Sequence, residues 1–370
     1  MKTRMTEMFG IDVPIFAFSH CRDVVVEATR AGGMGVLGTT RVTPEQLEME
    51  LKWIDDHTDG RPYALDLALP QKMEEVHTLE ERAAVLPKEH VAFVDKILSD
   101  AGIPELPEYE REQLAEYASG YRLTAQGGME LIEVALRHPQ IRLVVSALGI
   151  APKEMIDLLH ARGLKVGALI GSTRQAKNQV DAGIDVLIAQ GMEAGAHTGS
   201  ITSMVLWPQI VDAAAPVPVL AAGGIGRGRQ MAAALALGCE GVWCGSIWLG
   251  TKESELSPDM KERFFAARSE DAIQRRVFTG KQCRMLRSAF TDAWDAPGAP
   301  TPLPMPQQGL LVTEARARIE KARRKEFMGY YVGQIVGDMT EETSTKNVIY
   351  EMLTEYSDAV EKLQGQLEAE

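Results

Sequence analysis

Cysteine is scarce in this 370-residue chain, and the four present (Cys21, Cys239, Cys244 and Cys283) are scattered along it. There is no C-x-x-C pair and no zinc-type spacing, so neither a disulfide framework nor a metal site is expected, and the pattern suits a reducing compartment. Long apolar runs are missing as well: none reaches the roughly 18 residues of a membrane helix. The N-terminal stretch MKTRMTEMFGID lacks the apolar segment of a secretory signal, which makes a cytoplasmic protein with no membrane partner the expectation. Positive charge is outnumbered, with 39 Lys and Arg against 52 Asp and Glu and a formal net charge of −13. That balance argues against a general affinity for nucleic acid. No internal repeat or low-complexity tail interrupts the chain. What remains, 45% apolar and 25% charged residues, is the composition of a soluble globular protein, long enough for one large domain or two ordinary ones.

Short apolar runs recur at Ile15–Ser19, Met34–Thr39, Tyr63–Leu69, Leu143–Leu148, Lys165–Gly171, Val186–Gly191, Val217–Gly224 and Gly241–Leu249. They do not alternate with polar residues, as expected for parallel strands buried on both faces. Between them lie amphipathic stretches such as Pro44–His57, Pro152–Arg162, Thr173–Ala182 and Gly228–Leu237. Alternating strand and helix implies right-handed crossovers, and eight strands match a TIM (β/α)8 barrel; a doubly wound sheet is the competing architecture. Residues 1–250 are read as the barrel. Residues at about 70–140 read as a helical insertion after strand three, with helix-like segments Pro87–Ala101, Pro107–Ser119 and Gly128–Arg137 and a loop-like first part. Residues 251–370 read as a helical, Pro-rich C-terminal extension. Five prolines in Pro297–Pro306 exclude helix there, and Thr313–Phe327 and Lys346–Gln366 are read as helices.

GGMGVLG at Gly33–Gly38 contains a formal G-x-G-x-x-G, but a helix-like run, Asp23–Ala31, precedes it and a strand lies within it. A dinucleotide fingerprint needs the reverse order, so this is a helix end leading into a strand. More informative is PVPVLAAGGIGRGRQMAAALALG, where a buried strand ends at Gly223–Gly224 and a helix begins near Gly228–Arg229; the next strand ends similarly at Cys244–Gly245–Ser246. In barrels, the loops after strands seven and eight, with a nearby helix N-terminus, form a phosphate site. Beside them, after strand six, lies AQGMEAGAHTGS, in which Gln190 offers a donor and an acceptor and His197 stands among glycines. His197 is a general base, a donor to a ligand carbonyl, or a turn residue. Glu193 reads as a cap for a backbone turn. A barrel that binds a phosphorylated ligand without redox chemistry is compatible with these features alone.

Several of these segments resemble those of the nitronate monooxygenase family, formerly 2-nitropropane dioxygenases, which is related to the flavin-dependent enoyl-acyl-carrier-protein reductases. AQGMEAGAHTGS is similar to that family's A-Q-G-x-E-A-G-G-H-x-G, and PVPVLAAGGIGRGRQMAAALALGCEGVWCGSIWLGTKES to its long A-A-G-G-I stretch. AGGMGVLGT, and more loosely PMPQQGLL and YYVGQIVGDM, extend the likeness over nearly the whole chain. The resemblance implies a flavoprotein oxidoreductase with FMN, its phosphate on Gly223–Gly224 and Gly245–Ser246. The flavin ring would lie against Ala17, Phe18 and Ser19, with Asp66, Ser146, Gln190, Gly195 and Ala196 around the ring or ribityl chain and His197 as catalytic base or orienting residue. The small-molecule substrate would be an alkyl nitronate or a similar carbanion-like compound, with O2 as oxidant. The alternative is an NAD(P)H-dependent reductase of an enoyl thioester, a quinone or another activated alkene.

The chain departs from the family pattern in three places. AFSHCRD replaces the usual A-P-M at the first strand's end, putting His20 and Cys21 near the flavin. LDLALP places Asp66 where an amide is usual, and Ala196 replaces the second glycine before the histidine. A carboxylate at Asp66 would disfavour the anionic reduced flavin. Cys21 reads as a reactive thiol or, more simply, a buried small residue. The basic run EARARIEKARRKE reads as a solvated helix face, or as a contact for the phosphates of an acyl-CoA. Trp243 and Trp248 read as packing residues, and additional apolar faces on the C-terminal helices suggest a homodimer.

Overall fold

The computed structural model describes residues 1–39, 42–67, 86–119, 125–147 and 149–368. Eight parallel strands form a closed barrel in chain order: β1 (Ile15–Ser19), β2 (Met34–Thr39), β3 (Tyr63–Leu67), β4 (Ile141–Ser146), β5 (Lys165–Ile170), β6 (Val186–Gln190), β7 (Val219–Ala222) and β8 (Gly241–Cys244). Closure is made by β1 against β8, where Ile15 faces Val242 and Ala17 faces Cys244. The TIM barrel is therefore the fold, and the doubly wound alternative falls away. Successive side chains of a strand point to opposite faces, and the sequence uses both faces for burial. Phe16, Met34, Val36, Ala64, Leu143, Val145, Val186, Ile188, Leu220, Ala222 and Trp243 fill the lumen. Ala17, Leu65, Val144, Val166, Leu187, Ala221 and Val242 face the surrounding helices. Each of the larger aliphatic side chains contributes about 1.5–3 kcal/mol on burial, which explains why the strands carry almost no polar residues.

The lumen is closed at the N-terminal end by a short helix, Arg4–Phe9, that the sequence pattern does not reveal. Met5 and Phe9 join the lumen cluster, and the Phe9 ring meets Phe16 edge-on at 5.8 Å. With that end plugged, the open end of the barrel lies at the strands' C-termini. Around the barrel, Pro44–His57 begins with a capping box in which the Thr43 hydroxyl accepts the Gln46 N–H and Gln46 reaches back to Thr43. The helix Arg22–Arg30 ends through Gly32, at φ +92, whose N–H donates to Thr29 O, and then passes into β2. The formal G-x-G-x-x-G is thus the helix end anticipated.

Two strands are shorter than their apolar runs. β7 occupies Val219–Ala222 rather than Val217–Gly224, and β8 stops at Cys244 rather than Leu249. Ser246–Gly250 is instead a 3₁₀ turn, held by Trp248 N–H to Gly245 O at 3.2 Å and by the Trp248 indole N–H to Cys244 O at 2.6 Å. Apolar composition cannot separate this turn from the strand, because both Trp243 and Trp248 are buried packing residues.

Between β3 and β4 the chain forms helices Lys88–Asp100, Glu108–Ser119 and Ala125–Ala135; the loop-like part of the expected insertion, like residues 68–69 and 148 of the expected strands, lies outside the described residues. Val94, Ile97 and Leu98 share a second core with Phe264, Phe290, Val312 and Ile319 of the C-terminal region. That region is not only helical. Beside helices Pro258–Phe265, Ala289–Asp295, Gln307–Lys321 and Thr345–Glu368 it holds an antiparallel pair, β9 (Ala272–Arg275) and β10 (Cys283–Leu286). Four-residue strands separated by a seven-residue turn leave no periodic signal. The expected helix Thr313–Phe327 runs instead over Gln307–Lys321 and ends before Arg323, which has φ +51. The last helix lays Val348, Ile349 and Met352 onto the barrel's outer core, leaving Tyr350, Leu363 and Leu367 exposed. Among the described residues no helix is long and apolar enough to cross a membrane.

Candidate active site

Continuing each strand two residues past the lumen layer identifies the side chains at the open end. Above Phe16, Val36, Ala64, Ile188 and Trp243 come Phe18, Gly38, Asp66, Gln190 and Gly245. Phe18 forms part of the floor: it stacks on Trp243 at 5.9 Å and meets the His20 ring edge-on at 5.2 Å. Asp66 is 4% exposed, and burial pushes its carboxyl well above the usual carboxylate range. Neither the Asp66 carboxyl nor the Gln190 amide has a hydrogen-bond partner among the described residues. Ala17 and Ser146 fall on the opposite register, facing the helices; the Ser146 hydroxyl donates to Gly149 O at 3.0 Å. Ser19 accepts the Cys21 N–H at 3.1 Å. These three bring backbone, rather than free side chains, to the rim.

The loop after β6 is clamped from several directions. Gly191 N–H donates to Ala222 O and Met192 N–H to Ile201 O. The Glu193 carboxylate accepts both the N–H and the hydroxyl of Ser203, at 3.0 and 2.8 Å, and so caps the helix Ser203–Ala214. Ala196 and Arg284 of β10 exchange backbone hydrogen bonds at 3.0 and 2.7 Å, and the buried Arg284 guanidinium donates to Met192 O at 3.1 and 2.8 Å. Gly195 lies so close to the chain at Val332 that a Cβ would stand 2.9 Å from the Val332 carbonyl carbon. Ala196 holds φ +59, a left-handed backbone that costs an L-residue roughly 1–2 kcal/mol.

This clamp sets His197. Its Nδ1 lies 3.1 Å from Gln282 O, so Nδ1 carries the proton and donates, leaving Nε2 with its lone pair. Burial lowers the imidazole's pKa below the ordinary 6.5; the Gln282 carbonyl opposes that shift, and the Lys281 charge adds to it. At neutral pH His197 is therefore an uncharged ring in a fixed tautomer. On the far side of the mouth His20 is held alike, its Nδ1 2.7 Å from Gly38 O.

The glycine corner is more selective than its sequence suggests. Gly223 has φ +107 and Gly224 φ +68, and a Cβ on Gly223 would stand 3.0 Å from the Gly191 backbone. Across from them, Ser246 Oγ accepts the Gly333 N–H at 2.7 Å and keeps its own proton to donate. The helix start at Gly228, expected to share in anion binding, is already capped. The Glu355 carboxylate of the last helix takes the Gly228 N–H at 3.0 Å and the Arg227 guanidinium at 2.9 Å, while Gln230 Oε1 takes the N–H groups of Gly226 and Arg227. An anion therefore has Gly223–Gly224 and Gly245–Ser246 available, without that helix. Together with the inward, unpartnered Asp66 and Gln190, this corner fits a ligand with a phosphate at one end and a flat hydrogen-bonding ring at the other.

Some residues that shape the site carry no local signal. Gln282 and Arg284 lie 85 and 92 positions from the groups they hold. The Cys21 thiol donates to Glu253 O at 3.0 Å, and burial raises its pKa, which suits the buried-residue reading. The basic run is solvated only in part, with Arg323 exposed and Arg318 buried, and its cations are held by distant partners. Arg318 donates to the Ile103 and Pro104 carbonyls and Lys321 pairs with Glu110, tying insertion and extension together, while Arg323 and Lys325 pair with Asp259 within the extension. Arg316 alone of this run packs on aromatic rings, 4.5 Å from the Phe278 centroid.

The sequence profile of the nitronate monooxygenase family matches residues 2–355. A Mycobacterium tuberculosis (strain ATCC 25618 / H37Rv) protein, named as a candidate monooxygenase, is 45% identical over 375 aligned residues, covering 99% of each chain. Nitroalkane oxidase from Streptomyces ansochromogenes has the same fold, with a TM-score of 0.79 at 26% identity over 97% of this chain and 99% of that one. FabK from Thermotoga maritima gives a TM-score of 0.73 at 25% identity over 99% of both chains. With this match along its length and its barrel architecture, the chain belongs to the nitronate monooxygenase family and is a flavin-dependent oxidoreductase.

Proposed function

We propose that the protein binds FMN and oxidises alkyl nitronates or similar carbanion-like substrates with O2. The observation that carries this reading is the state of His197: a neutral imidazole on a clamped loop, with Nδ1–H held by Gln282 O and the Nε2 lone pair free at the barrel mouth. Such a group takes the proton from the carbon beside the nitro group of a neutral nitroalkane, converting it into the nitronate that is then oxidised. Gly223, Gly224, Gly245 and Ser246 hold the phosphate. Asp66 and Gln190 meet the ring, with Ala17, Phe18 and Ser19 beneath it and Gly195 and Ala196 at its rim. When bound, FMN supplies the redox centre that takes substrate electrons and passes them to O2. The family match and the nitroalkane oxidase and FabK similarities support a flavin cofactor for this barrel.

The test is anaerobic reduction of the yellow protein against a panel of nitronates, NADH and NADPH, followed by aerobic turnover. Reduction by a nitronate and turnover without nicotinamide are expected. Rapid bleaching by NADH or NADPH with negligible nitronate turnover would assign the protein as a reductase of an activated alkene, such as an enoyl thioester or a quinone. Colourless protein that cannot be reconstituted with FMN would overturn both and leave a non-redox phosphate-ligand barrel.

A further inference from the structure

Asp66 is a buried acid whose protonation state the proposed function leaves unassigned. Its side chain sits on the inward register of β3, directly above Ala64, and its cross-strand partners are Gly38 on β2 and Val145 on β4, which bring neither charge nor a side-chain donor. Its backbone carbonyl accepts the Thr39 hydroxyl at 3.0 Å, but no cation or donor among the described residues reaches the carboxyl group. Asp185 shows the contrast. Burial raises its pKa too, yet Lys165, the Val166 N–H and His160, at 2.7–2.9 Å, outweigh that effect and keep it ionised. An isolated carboxylate excluded from water has no comparable support, whereas a carboxylic acid is uncharged. The acid in turn has one O–H donor and one C=O acceptor that find no partner among the described residues. Buried polar groups are almost always satisfied, so a pair left open toward a binding cavity calls for a ligand with the complementary pair.

We propose that Asp66 meets the cofactor as a neutral carboxylic acid, its O–H donating to a carbonyl oxygen and its C=O accepting the adjacent imide N–H along the flavin's pyrimidine edge. This rests on the reading that the cofactor is FMN. The consequence reverses the expectation from sequence: a proton donor at this edge stabilises electron density arriving on the ring, where a carboxylate would oppose it.

The experiment compares FMN-loaded wild-type protein with Asp66→Asn, which keeps a donor and an acceptor, and Asp66→Leu, which removes both. FMN affinity is read by fluorescence titration, flavin midpoint potential by dye equilibration, and protonation by the infrared C=O stretch of a protonated carboxyl. Asp66→Leu is expected to weaken FMN binding about 10- to 100-fold, the worth of one or two hydrogen bonds, and to lower the midpoint potential. Asp66→Asn should stay within about threefold of wild type by the same measure. The infrared band should be present in cofactor-free wild type, absent in Asp66→Asn, and shifted when FMN binds. Wild-type affinity in a folded Asp66→Leu protein, or no such band in wild type, overturns the proposal. Should the leucine variant not fold, the band and the asparagine variant still decide it. Wild-type protein that takes no FMN sinks the cofactor reading together with this one; tightly loaded protein whose band does not move sinks this one alone.

Discussion

In the loop after β6, Glu193, Ser203, Arg284 and the backbone of Ala196 all find partners within the chain; on the floor of the mouth, the Asp66 carboxyl and Gln190 amide find none among the described residues. The loop's polar groups hold one another, and what they leave open is the Nε2 of His197. The floor's polar groups are held by strand geometry alone and face the cavity. Partnered groups make the frame and unpartnered ones meet the ligand, and that division separates residues that AQGMEAGAHTGS presents side by side. The same rule sorts the glycine corner: Glu355 takes the Gly228 N–H, whereas the N–H groups of Gly223 and Gly224 have no partner among the described residues and only their carbonyls are held, by Ser203 and Gln230.

The comparison breaks most visibly at the one open atom of the loop. With a neutral nitroalkane as substrate, His197→Asn is expected to lower turnover by about 10²–10⁴-fold, the usual worth of a general base, while FMN stays bound. Wild-type rates in that variant would make His197 part of the frame. Because burial lowers the imidazole pKa, the neutral base persists below 6.5, so the acid limb of kcat/KM should fall below that value. A limb at or above it places the base elsewhere.

Next in size is the frame itself. Arg284→Met strands the Met192 and Ala272 carbonyls that the guanidinium serves, and should cost about 2–4 kcal/mol in urea unfolding. If the loss falls under half of that, the clamp is not what fixes the loop.

The floor should respond in the opposite sense. Asp66→Asn is expected to stabilise the cofactor-free protein at neutral pH by about 1 kcal/mol, roughly 1–2 °C in Tm. The sign follows from linkage. Above 3.8 the unfolded chain releases the Asp66 proton while the native state, with its raised pKa, retains it, so stability falls as pH rises. The gain should therefore vanish on acidification below the ordinary carboxylate range. A variant no more stable at pH 7 than at pH 3.5 (relative to wild type) would show that Asp66 is not strained by burial.

Smallest is Ala196→Gly, which removes a side chain from φ +59. The relief is partly offset by the entropy of glycine, leaving a gain of about 1 kcal/mol or less, read as a small rise in Tm. A fall in Tm would mean that the Ala196 methyl contributes packing that outweighs the strain.

Much of this frame was legible in the linear chain. Unbroken apolar runs gave the eight strands, since a barrel strand is buried on both faces and tolerates little polarity. The glycines at 223–224 and the histidine at 197 stood out because strand ends are where backbone and catalytic groups can approach a ligand. The pair β9 and β10 did not, because four-residue, half-buried strands have no period to display. The basic run misled for a related reason: a cation's partner, such as Asp259 for Arg323, lies 64 residues away and leaves no mark nearby.

By itself, then, the sequence determined the alternation of strand and helix, the closed barrel, the family, and which loops carry glycine and histidine, because these follow from local periodicity and local backbone freedom. Only the tertiary structure decided which ring nitrogen of His197 is free, that Glu355 closes one helix end, and that Asp66 is enclosed with no charge from the described residues beside it. Those properties depend on solvent exclusion and on partners tens to hundreds of residues away, and they exist only once the barrel and its C-terminal wrap are assembled.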